Sequence, residues 1–328
     1  MKTRLTMLAV LAAAVAAASL AATGAFAGKR DAGPPDHLTI AYQPGLGYAP
    51  LILIKQLHLI ENKYPGTKVD WKVLASGTPI TAGVISGDID IGAVGTGPFL
   101  VGWARGVNWK ILSPLLNSDL WLMAKDPNIT TIADLKGKKI ATPTNTSIQA
   151  VMLRKMAQVK LGDAHALDSS LVALDHPDGM TALFSGQIDA HFTSPPFQFQ
   201  EKVRGAHVVA RSYQYFGEHT FLVTVMQQKF YDEHTDFAKK FYTDIVAAQA
   251  LIKKKPDLVA KLLQRDAGGI PTNRQFKQWL VNPALTWTTR PRGLMRTANF
   301  MFKTQQLTKM PGDWKELVFP PVYPTKGS

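Results

Sequence analysis

The sequence predicts an α/β protein of two similar lobes that face each other across a cleft. Three observations carry that prediction: strand-like and helix-like segments alternate, a short block recurs once in each half, and 328 residues suit two ordinary domains.

The alternation begins after Gly33-Pro34-Pro35, where residues 37–42 (HLTIAY) read as a strand broken by Gln43-Pro44-Gly45-Leu46-Gly47. The apolar run from Pro50 to Ile60 reads as a helix. Residues 69–74 (VDWKVL) form the next strand, closed by Ala75-Ser76-Gly77-Thr78-Pro79, and a helix to Ile85 leads through Ser86-Gly87 into IDIGAV at 89–94. Strands joined by helices imply a largely parallel sheet with helices on its faces. The pattern resumes at Trp121-Leu122-Met123-Ala124 and at Lys139-Ile140-Ala141-Thr142, followed by a helix that Ser147 caps and that carries Val151, Met152 and Met156. Residues 220–225 (TFLVTV) read as a strand returning to the first lobe. Beyond them Phe237, Phe241, Ile245, Ala248 and Ile252 recur at helical spacing, and Pro256 opens another helix, where its missing N–H is harmless.

The recurring block is SGDIDIGAVGTGPF at 86–99 and SGQIDAHFTSPPF at 185–197. Each copy passes from a helix end through Ser-Gly, where glycine allows a positive φ, into an Ile-Asp strand and a polar loop closed by Pro-Phe. Asp90 and Asp189 hold the same place in the two copies, which points to a shared structural role rather than a catalytic carboxylate pair.

Lys2 and Arg4, an apolar run to about Ala22 and the small residues of Ala25-Phe26-Ala27 make residues 1–27 a secretory signal peptide, with Gly28 as the mature N-terminus. There is no cysteine, which excludes disulfides, thiolate metal sites, a thiol nucleophile and a lipid-modified terminal cysteine. Export without such a tether implies the periplasm. The net charge of +13 is scattered. Its two clusters, Lys136-Gly137-Lys138-Lys139 and Lys253-Lys254-Lys255, read as solvated helix ends rather than a nucleic-acid surface.

Three stretches resemble one family: ASGTPITAGVISGDIDIGAVGTGP (75–98), ITTIADLKGKKIATPTNTSIQAVMLRK (129–155) and HPDGMTALFSGQIDAHFTSPPFQFQ (176–200), with a weaker continuation through 229–263. Together they are similar to the nitrate, taurine and aliphatic-sulfonate binding proteins of ATP-driven importers. The resemblance implies a type II periplasmic-binding fold with two hinge crossovers, near Met123 and Thr220, and the ligand in the interlobe cleft. Lobe 1 would then hold 28–122 plus 221–328, and lobe 2 would hold 123–220. It also implies a monomer that delivers a small anion to a permease and ATPase complex of the inner membrane, with no cofactor.

The loops expected at the cleft contain Gln43, Tyr48, Ser76, Gly77, Thr78, Gly95, Thr96, Thr144, Ser147, Thr193 and Ser194, and no Arg or Lys. An anion there would be held by helix N-termini, whose unpaired N–H groups carry about half a positive charge. The starts after Gly77 and Ser147 are the two candidates, with the Thr78 and Ser147 hydroxyls either donating to a ligand or simply capping. His219 is the ionisable group expected near the cleft mouth, with Arg211 and Tyr213 upstream. Tyr48 and Trp121 could wall an apolar tail or pack in the core. The histidines show no metal-ligand spacing, and there is no P-loop or G-x-S-x-G elbow. A sensor subunit, or an enzyme on the same fold like the thiamine-pyrimidine synthases, are the rival functions. A sulfonate, nitrate, a carboxylate and a thiamine-precursor amine all stay open as ligands.

Overall fold

The computed structural model describes residues 31–328, so the signal peptide expected at 1–27 and its expected cleavage point lie outside the described residues. Four strands come first: β1 (His37–Tyr42), β2 (Lys68–Val73), β3 (Ile91–Gly95) and β4 (Trp109–Ser118). The next five are β5 (Trp121–Ala124), β6 (Ile140–Thr142), β7 (Leu171–Ala173), β8 (Ala190–Phe192) and β9 (His207–Arg211). The chain then returns through β10 (Thr220–Gln227) and β11 (Leu285–Thr286). Two sheets result, ordered β11-β4-β10-β3-β1-β2 and β7-β6-β8-β5-β9.

The sheets share one plan. β1 pairs in parallel with β2 and β3, and β10 runs antiparallel between β3 and β4. Likewise β6 pairs in parallel with β7 and β8, and β5 runs antiparallel between β8 and β9. The recurring block therefore supplies the same strand to each sheet, β3 and β8. Its aspartates do the same work in both. Asp90 N–H donates to Thr39 O at 3.0 Å while its carboxylate accepts Thr39 N–H at 2.8 Å, and Asp189 repeats this with Lys139 at 2.9 and 2.7 Å. Each carboxylate thus ties the entry of one strand to its parallel neighbour. Gly87 (φ 88°) and Gly186 (φ 77°) close the preceding helices in the left-handed region, as the block predicts.

The helices cover these sheets. In the first half they are α1 (Ala49–Gln56), α2 (Leu59–Lys63), α3 (Gly77–Ser86) and α4 (Thr96–Ala104). In the second sheet's span they are α5 (Ile148–Leu161), α6 (His176–Ser185), α7 (Phe197–Val203) and α8 (Ser212–Phe216). The C-terminal set is α9 (Gln228–Glu233), α10 (Thr235–Lys254), α11 (Pro256–Asp266), α12 (Asn273–Leu280) and α13 (Leu294–Lys303). Helix α10 buries Phe237, Phe241, Ile245, Ala248 and Ile252, the stripe read from the spacing.

Two local expectations change. The run from Pro50 to Ile60 is two helices, because His58 takes φ 51° and a left-handed residue cannot continue an α-helix. The Lys136–Lys139 cluster follows a single 3₁₀ turn at Ala133–Leu135 rather than a helix end, whereas Lys253 and Lys254 do fill the last turn of α10.

The chain changes sheets between Ser118 and Trp121 and again between Arg211 and Thr220. Met123 lies inside β5, so the first crossing falls before it. Asp119 stands at that crossing and accepts Tyr213 N–H from the other at 3.0 Å, joining the two connections. Helix α13 follows the return to the first sheet but also rests on the second lobe: Phe300 meets Phe216 edge-on at 5.4 Å, and Arg154 beside α13 donates to Gln306 at 3.0 Å.

Candidate functional site

Parallel strands direct their carboxyl ends, and the helix starts that follow them, toward one place. Here that place lies between the sheets. The loop after β1 and the starts of α3 and α4 approach from one side, and the starts of α5 and α6 and the loop after β8 from the other. They enclose a pocket of about 40 Å³, room for a few waters or a compact anion. The lobes touch beside it: Leu46 N–H donates to Pro195 O at 3.2 Å across the cleft.

Of the residues expected at the site, Gln43, Tyr48, Gly77, Gly95, Thr144, Ser147 and Ser194 line this pocket. The Gln43 amide donates to the Tyr48 hydroxyl at 2.7 Å, which leaves the phenol proton free for an acceptor in the pocket. Burial pushes the Tyr48 phenol well above its ordinary range, so it works as a neutral donor. A Cβ on Gly77 would make only ordinary contact with the Gln43 amide nitrogen, at 3.6 Å.

Others fall elsewhere. Ser76 precedes α3 without a capping bond, and exposed Thr78 borders a neighbouring groove shared with Thr144 and Thr146. Thr96 is buried and donates to Thr220 O at 3.0 Å, which fastens α4 to β10. Thr193 is buried within the second lobe. His219 is not at the pocket: it is fully buried against Tyr213 and Phe216, its Nδ1 is 3.0 Å from Gly217 O, and burial pulls its pKa down to about 4. Arg211 lies over Trp121 at 4.9 Å, and Trp121 packs edge-on against Phe199. Trp121 is thus a core residue, and the exposed Arg211 covers it.

Ser147 is committed to its helix. Its hydroxyl donates to Thr144 O at 2.7 Å and accepts Ala150 N–H at 3.3 Å. Ser147→Ala is therefore expected to remove about 1 kcal/mol of stability, seen in thermal melts of the unliganded protein, and to change affinity less than threefold. A large loss of affinity with unchanged stability would contradict the capping role.

The ionisable group the sequence reading missed is His176, the first residue of α6, which lines the pocket beside Gln149. Among the described residues that line this pocket there is no Lys, Arg, Asp or Glu. Behind His176 runs a buried polar chain: Gln149 Nε2 to His176 Nε2 at 3.1 Å, His176 Nδ1 to His191 Nε2 at 3.1 Å, and His191 Nδ1 to Glu201 Oε1 at 2.6 Å. His191 and Glu201 are fully enclosed. Desolvation pushes Glu201 up to about 9 and His191 down to about 3, and it lowers His176 well below 6.5 with His191 adding to the effect. Gly179 makes room for this chain, since a Cβ there would stand 2.7 Å from His191 Nε2. A signal for it exists in the recurring block, where His191 occupies the position of Gly92 in the first copy.

Comparison with known proteins is consistent across the chain. A family profile described as NMT1/THI5 like matches residues 65–269. The taurine-binding periplasmic protein of Escherichia coli (strain K12) is 28% identical over 231 residues, 69% of each chain. A second protein of that strain, provisionally named as aliphatic sulfonates-binding, is 29% identical over 175 residues; the match spans 52% of this chain and about half, 53%, of that relative. Among solved structures, the alkanesulfonate-binding protein SsuA from Xanthomonas axonopodis pv. citri, bound to MOPS, superposes with a TM-score of 0.71 at 21% identity, covering 89% of this chain and 98% of that one. The architecture is thus the two-lobed periplasmic-binding fold.

Proposed function

This chain belongs to the NMT1/THI5-like family, and from that premise we propose that it is the non-catalytic, exported solute-binding component of an ABC importer, taking a small anion of the sulfonate, taurine or nitrate kind. One observation carries the ligand class. The pocket between the lobes gathers four helix starts, at Gly77, Thr96, Ile148 and His176, with neutral donors and no carboxylate among its lining residues. Aligned N–H dipoles in a site shielded from water favour negative charge without a salt bridge. The names of the relatives point the same way.

The volumes divide the ligand. About 40 Å³ accepts a charged head, and an adjoining apolar groove of about 360 Å³, sharing Gln43, Pro44 and Gly45 and walled by Tyr42, Val73, Phe197 and Phe276, can take an organic tail. The lobes already meet at Leu46–Pro195 and over Gly97, so opening about the connections 118–121 and 211–220 would admit a ligand and reclosure would give a permease a closed, liganded surface to read.

Calorimetric titration with taurine, ethanesulfonate and nitrate, and with choline as a cationic control, tests this reading. At least one anion is expected to bind at micromolar concentration and to be recovered unchanged. Binding of choline with none of the three anions would overturn it.

A further inference from the structure

We propose that the chain Gln149–His176–His191–Glu201 stores a proton at Glu201 and passes it to His176 when an anion enters the pocket, so that the site carries a cation only while liganded. This rests on the reading that the pocket takes an anion. Three contacts of 3.1, 3.1 and 2.6 Å connect the pocket to a carboxyl group with no access to solvent. A connected run of donors and acceptors from a ligand pocket to a buried acid exceeds what packing requires, since apolar side chains would fill the same space without needing partners.

The protons balance as follows. In the empty site Glu201 is a carboxylic acid whose Oε1–H donates to His191 Nδ1 and His191 Nε2–H donates to His176 Nδ1; His176 Nε2–H then requires the Gln149 amide to turn its oxygen toward the ring in place of the nitrogen that stands there at 3.1 Å. An anion makes a cation beside it favourable. The Glu201 proton then passes to His191 Nδ1 while the proton on His191 Nε2 passes to His176 Nδ1. Glu201 ends as a carboxylate, His191 stays neutral with its proton moved to Nδ1, and His176 becomes an imidazolium. No proton enters from solvent.

Burial supports the starting state, since it holds Glu201 protonated up to about 9 and keeps both histidines neutral near pH 7. Few other charges face the chain. Arg204, at the end of α7, acts on Glu201 and favours its carboxylate, while Asp175 and Asp178 flank His176 along its own segment. β5 and β6, the neighbours of β8, carry no charged side chain. A standing cation in a site this enclosed would be costly without its counter-ion. A neutral site that becomes cationic on binding avoids that state.

The test uses whichever of taurine, ethanesulfonate and nitrate binds the wild-type protein most tightly. Carboxyl ¹³C and imidazole ¹⁵N resonances at pH 7.5 should show Glu201 protonated and His176 neutral before the anion is added, and Glu201 ionised with His176 doubly protonated after it. Affinity of the wild type should change less than about twofold from pH 6 to 8. In Glu201→Gln the proton must come from solvent, so affinity should fall about tenfold per pH unit, roughly a hundredfold over that span. An ionised Glu201 in the empty protein, or an anion that binds with Glu201 still protonated, overturns the proposal and leaves the anion reading standing. Failure of all three anions to bind overturns both. The resonance measurement needs only the wild type, so a poorly folded variant does not remove the test.

Discussion

Gly97→Val is expected to weaken anion binding at least about a hundredfold while the unliganded protein still folds. Gly97 lies in the first turn of α4, on the first lobe, and the backbone of the second lobe passes directly over it. A Cβ there would stand 2.5 Å from Thr146 O, 3.0 Å from Ile148 N and 3.1 Å from the Ser147 carbonyl carbon. All three are backbone atoms at the cap of α5, so no side chain can swing away to make room. Valine in a helix interior is a modest loss by itself. The obstruction therefore falls on lobe approach, and apparent affinity falls with the fraction of molecules able to close. Calorimetric titration with circular dichroism of the free protein separates the two effects. Wild-type affinity in a folded Gly97→Val protein would mean that the lobes need not meet at this point to hold a ligand.

The stability of the unliganded protein is expected to peak near pH 6.5 and fall on both sides. His176, His191 and His219 all have folded pKa values below their ordinary 6.5, through burial. As pH drops below 6.5 the unfolded chain gains those three protons and the folded one does not, so folding loses free energy. Glu201 works in the opposite sense, because burial raises it from 4.5 to about 9. Above pH 4.5 the folded state keeps a proton the unfolded state has released, and that advantage shrinks as pH rises toward 9. Because the unfolded histidines are half protonated at 6.5, the loss is about 3 kcal/mol between pH 6.5 and 5 and about 1 kcal/mol between 6.5 and 8.5. Urea melts at pH 5, 6.5 and 8.5 read this directly. Stability that rises steadily from 6.5 to 8.5 would mean that Glu201 is ionised in the folded protein.

Much of the architecture is legible in the sequence because it is written locally. The Ser-Gly-Ile-Asp block carries its own helix cap, strand entry and carboxylate tie, so its two copies mark β3 and β8 in equivalent sheets, and Asp90 and Asp189 repeat the same pair of backbone bonds. Ser147 reads as a cap for the same reason. The loops of the site follow from strand polarity, which is why Gln43, Tyr48, Gly77, Gly95, Thr144 and Ser194 meet at one pocket.

The chemistry behind the pocket is not local. His176, His191 and Glu201 come from a helix start, a strand and a second helix, and only the packing of α6 and α7 on β8 brings them into line. His219 attracted notice as a lone ionisable residue before β10. Nothing in its neighbours' sequence reveals that its ring turns into Tyr213 and Phe216. Thr78 and Thr96 show the same limit: hydroxyls in the first turn of a helix face a side groove or a neighbouring strand rather than the ligand space.

The central claim is that a small anion is held by closing two lobes over it. Small-angle X-ray scattering of the wild-type protein, without anion and at saturation with the tightest-binding of taurine, ethanesulfonate and nitrate, tests it most directly. The account predicts a smaller radius of gyration and a more compact distance distribution on binding; an unchanged profile at demonstrated saturation would contradict it.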